Sequence, residues 1–108
     1  MRENTMSSQI SEEFRIIAKK WVEADAAANM LEESKSAVLA KMISSQGDMP
    51  VNRAETRVKS STEWSDYIKS MVEARERASM LKVQLEYIRM RFSEWQSHEA
   101  NRRAEMKL

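Results

Sequence analysis

Cysteine is absent from this 108-residue chain, and glycine and proline occur once each, as Gly47 and Pro50. No cysteine means no disulfide and no thiolate metal site, which fits a reducing compartment. One glycine and one proline leave almost no turn punctuation, so a sheet built from several short strands is excluded and one corner is expected. Excess charge is also missing. Charged residues make up 32% of the chain, yet the net charge is +1, so no global field draws it to nucleic acid or to an anionic membrane. No apolar run approaches the roughly 18 residues of a membrane span, and MRENTMSSQI has no apolar core of a signal peptide. A soluble cytoplasmic protein with no membrane contact is the expectation.

What is present is helix-forming: Ala, Glu, Lys, Arg, Met, Leu, Ser and Gln dominate. Ser11 followed by Glu12 and Glu13 has the look of an N-cap with acids in the first turn, which places residues 1–10 in a flexible N-terminus and starts a helix at about 11. Phe14, Ile17, Trp21, Ala24, Ala28, Leu31, Val38 and Met42 follow in steps of three and four, interrupted by Lys35. They form one stripe on about 33 residues of helix, roughly 50 Å long. The alanines between 24 and 28 keep side chains short and invite close approach by another helix.

SSQGDMP (44–50) is the corner, a turn over 45–51. Asn52 and Glu55 have capping-box spacing, which predicts a short helix over about 53–59, and Ser61 with Glu63 starts a long helix over about 62–105. Along it Trp64, Tyr67, Met71, Ala74, Ala78, Leu81, Leu85, Ile88, Phe92 and Trp95 fill ten successive heptad core positions. The next two are Glu99 and Arg102, so the seam should end after Trp95 and leave a tail for solvent or a partner. The fold class expected is all-α, an antiparallel long-helix hairpin over 11–108 with a short linking helix.

A second series, Val72, Met80, Val83, Tyr87 and Met90, lies on the opposite side of the long helix. A two-helix hairpin needs one buried face per helix, so these five residues mark an oligomer or partner interface, and a homo-oligomeric bundle is expected. Of nine methionines, the initiator included, several sit on or near the stripes as gap-fillers would, and Met80 and Met90 on the second series suit an adaptable surface.

Basic residues flank the core series: Arg75, Lys82 and Arg89 just after a core position, Arg77 and Arg91 just before one. There they cover the seam and pair with acids of the first helix, among Glu12, Glu13, Glu23, Asp25, Glu32 and Glu33. The halves are complementary, with six basic and eight acidic residues before position 51 and twelve and nine after it. The competing assignment makes Arg89, Arg91, Arg102, Arg103 and Lys107, near Tyr87 and Trp95, a basic surface for nucleic acid or a partner. No recognition helix, zinc-finger spacing or RNP-like motif accompanies them.

Glu94 and His98 share a helix face, as a metal or acid–base pair would need. With one histidine and no acid on the first helix's core stripe, a dinuclear carboxylate bundle is not assembled. No Ser/His/Asp set and no phosphate-cradling glycine loop occurs. No enzyme, no cofactor and no metal is the expectation. EARERASMLKVQLEYIRMRFSEWQSHEANRRAEMKL (73–108) resembles small all-helical proteins encoded by tailed bacteriophages and prophages. The resemblance implies an accessory protein inside a bacterial cell, acting on a host or phage protein as adaptor or inhibitor, or else in DNA recombination, replication or packaging.

Overall fold

A computed structural model describes residues 2–107, with side chains from Thr5 onward. Three helices follow one another: α1 Arg2–Ser44, α2 Val51–Lys59 and α3 Thr62–Lys107, with no strand among the described residues. No helix there is long and apolar enough to cross a membrane. The chain divides into two compact units, one of residues 1–22 and 79–108, the other Glu23–Ala78.

The Glu23–Ala78 unit holds the corner. α1 ends where Ser45 N donates to Lys41 O and Gln46 N to Ile43 O, both at 3.1 Å, and Gly47 then turns the chain at φ 81°. That left-handed conformation costs little only without a Cβ. Pro50, at ψ 138°, precedes α2 and makes no side-chain cap. The expected Asn52/Glu55 capping box is therefore not formed. α2 begins at Val51, Ala54 N donates to Pro50 O at 3.0 Å, and Asn52 lies inside the helix with its carbonyl accepting from Thr56 Oγ1. A proline that has no N–H and a fixed φ takes the place where the sequence offers asparagine. Ser61 does cap α3: its Oγ accepts from Trp64 N at 3.2 Å and donates to Val58 O at 2.5 Å.

In this unit α1 and α3 run antiparallel. Tyr67 Oη donates to Leu31 O, and Arg75, further along α3, reaches back to Asp25 on α1. The buried set is Ala24, Ala28, Ala54, Val58, Trp64 and Ala78. Four of these six are alanines, which lets backbones approach closely while Trp64, stacked on Tyr67 at 5.7 Å, supplies the bulk. α2 is held by Ala54 and Val58, two buried positions one turn apart.

The other unit contains the start of α1 and the end of α3, again antiparallel, with Arg89 over Phe14 and Arg91 on Glu13. Ile10, Leu85 and Ile88 are buried there. Ile10 corrects one expectation. Helix α1 begins at Arg2, not near residue 11, so residues 2–10 are helical; Met1 lies outside the described residues. Ser11, Glu12 and Glu13 sit mid-helix, where Arg15 clamps Glu12 at 2.5 Å, and Ile10 continues the apolar stripe toward the N-terminus. Burying Ile10 favours helix over the local capping preference of Ser11.

Candidate protein-binding surface

Leu81, Leu85, Ile88, Phe92 and Trp95 turn the inner face of α3 toward α1, and all are buried or half-buried. Phe92 and Trp95 stack at 5.8 Å. On the opposite face of the same segment Met80, Val83, Tyr87 and Met90 are 64%, 57%, 61% and 60% exposed. Val72, in the other unit, is exposed too. This stretch of α3 is thus apolar on both sides but covered on one. Scattered exposed apolar residues are ordinary; four in three helical turns on one face form a patch.

Tyr87 is not a loose ring. The Arg91 guanidinium lies 5.9 Å from its centroid while Nη1 contacts Glu13 Oε2 at 2.9 Å, so a cation held by α1 also steadies the aromatic side chain at the edge of the patch. Met80 and Met90 at the ends are unbranched and polarizable, suited to moulding against a partner.

The basic series divides by environment. Arg75 spans Asp25, Asn29 and Glu32, with N···O distances of 2.6–2.9 Å, and Arg91 pairs with Glu13, as the flanking positions suggest. Hydrogen bonding by Arg75 holds the Glu32 carboxyl below its ordinary range, and the same bonds raise the guanidinium's affinity for its proton. Arg89 takes a different partner from the acid expected: its guanidinium lies over Phe14 at 5.5 Å. Arg102 bonds Glu99 at 2.9 Å. Arg103 and Lys107 are exposed near the end of α3. Of the five residues assigned to a basic surface, three are therefore engaged by groups of this chain.

Glu99 was missed. The seam does not stop after Trp95: Glu99 is buried to 9% exposure, beside a groove that it shares with Trp95, Gln96, Ala100 and Arg103. Its heptad position announced this, but its charge argued for solvent; Arg102, half-exposed, supplies the counter-charge that makes burial tolerable. Only beyond Glu99 does the tail emerge, exposed from Ala100 to Lys107.

Glu94 and His98 are both exposed, and among the described residues no cluster of three or more His, Asp or Glu side chains could hold a metal ion. A second groove, between Ile10, Phe14, Ile88 and Phe92 with Ser11 and Arg89 at its rim, is apolar and open. It is the incompletely covered inner seam rather than a separate site. No protein-family profile, characterised protein or solved structure matches the chain. These comparisons lend no support to the phage resemblance.

Proposed function

We propose that this chain is a non-enzymatic accessory protein, an adaptor or inhibitor of the kind the resemblance of residues 73–108 implies, and that it works by protein–protein binding as an oligomeric helical bundle whose contacts include the outer face of α3. The observation that carries this reading is the joint exposure of Met80, Val83, Tyr87 and Met90 on a helix whose other face is already used. Covering four such side chains removes apolar area from water at about 25 cal/mol per Å², the usual driving term of association.

The test is site-specific photo-crosslinking in cells expressing the chain. Tyr87→p-benzoylphenylalanine should give discrete protein adducts, and the same residue at Ser65, exposed on α3 in the other unit, should give none. No adduct from position 87, or the same pattern from both positions, contradicts the reading.

A further inference from the structure

We infer that the occupant of this face is a second copy of the chain, related by a two-fold axis at the level of Leu85. The inference rests on the face being a protein-binding surface and names its partner. Met80, Val83, Tyr87 and Met90 are spaced by three, four and three residues, a pattern that is the same from either end. A two-fold axis across α3 at Leu85 sets Met80 against Met90 of the second copy and Val83 against its Tyr87. Each side presents what the other lacks: a small branched side chain meets a large flat ring, and two flexible thioethers meet at each end. This is the self-complementarity that an isologous dimer requires.

The next members of the series, in opposite directions, are Glu76 and Glu94. In the proposed register these carboxylates face one another at the ends of the patch, where water reaches them. Sliding one copy by a heptad drives Glu76 onto Tyr87, or Glu94 onto Val83, and buries an unpaired charge. The acids therefore penalise a heptad slide, which buries a charge, more than the proposed register, in which the facing carboxylates repel one another through water. The patch runs about 15 Å along the helix, short enough for two helices that cross rather than zip along their length. From the exposures of the four side chains, complete coverage would bury at most roughly 500 Å² per copy and roughly 1,000 Å² for the pair, the lower bound for a specific interface. The dimer is accordingly reversible and concentration-dependent.

The chain has no cysteine, so single thiols can be placed at will. Light scattering of the full chain over a concentration series should show the mass rising toward twice 12.6 kDa. When equal amounts of Met80→Cys and Met90→Cys proteins are mixed under thiol–disulfide exchange, the 80–90 disulfide should exceed the share that random pairing gives. A dimer in which the 80–90 product stays at or below that statistical share overturns the two-fold axis at Leu85. A monomer at every concentration overturns the second copy as occupant. In that event photo-adducts from position 87 to a different protein leave the binding face standing, whereas their absence removes the face as well.

Discussion

Arg75 gathers Asp25, Asn29 and Glu32 of α1 around one guanidinium, a geometry that the planar fork suits and an ammonium does not. Arg75→Ala should lower the urea midpoint of unfolding, and Arg75→Lys should recover only part of it. The pH dependence has a definite sign. Glu32 in the folded chain has its pKa depressed by Arg75, so the stabilisation is present above the ordinary carboxylate range and is lost as pH falls through the folded value. The gap between wild type and Arg75→Ala should therefore close in acid; a gap that widens below that range would refute the pairing. Gly47 offers a second residue-level test. A Cβ there meets nothing within 4 Å, so the penalty of Gly47→Ala comes from the backbone at φ +81° alone, about 1–2 kcal/mol by denaturant unfolding. Gly47→Asn should cost less, since asparagine tolerates this conformation better.

At the scale of elements, α2 depends on two small contacts. Val58 is 1% exposed, so Val58→Ala should destabilise by roughly 2 kcal/mol, and Val58→Asp should release α2, read as fast amide exchange over Val51–Lys59. The long helices were the legible part of the sequence. All ten residues from Trp64 to Trp95 in the heptad series are buried or half-buried, because a period sustained that long leaves no other face for the partner helix. Ser61 was legible as a cap from the acid that follows at Glu63, and although Ser60 and Thr62 on either side are cap formers too, it is Ser61 whose Oγ accepts from Trp64 N. The ends were less legible. Ser11 with two glutamates imitates a helix start, and only the burial of Ile10 shows that the helix runs through them. Asn52 imitates a cap that Pro50 supplants, and Glu99 conceals a core position behind a charge. At Ser11 and Glu99 a local preference yields to tertiary contacts that the linear pattern does not display, whereas at Asn52 it yields to the neighbouring proline.

For the whole molecule, a chain of 108 residues can enclose only a modest core, and each of its two units buries a short list of side chains. The outer face of α3 offers further burial in one patch, whereas Val22, Met30, Val51 and Met106 are exposed elsewhere. The residues of that face were readable as a second apolar series, as was the pairing of Arg75 and Arg91 with acids of α1, whereas the place of Arg89 was not, since whether it meets an acid or Phe14 depends on the register of two helices. Self-association through an apolar patch should persist at high salt, while affinity for nucleic acid would fall steeply with it, so the salt dependence of the assembled mass separates the two modes. The most direct measurement compares wild type with a Met80→Ser, Tyr87→Ser double variant, following assembly by light scattering and by photo-crosslinking from p-benzoylphenylalanine placed at position 83 of both chains, and the fold by circular dichroism. The variant should keep its helical signal and unfolding midpoint while losing the associated mass and the protein adducts. Unchanged association in the variant, or a wild-type chain that stays monomeric and captures no protein, would contradict a binding role for this face.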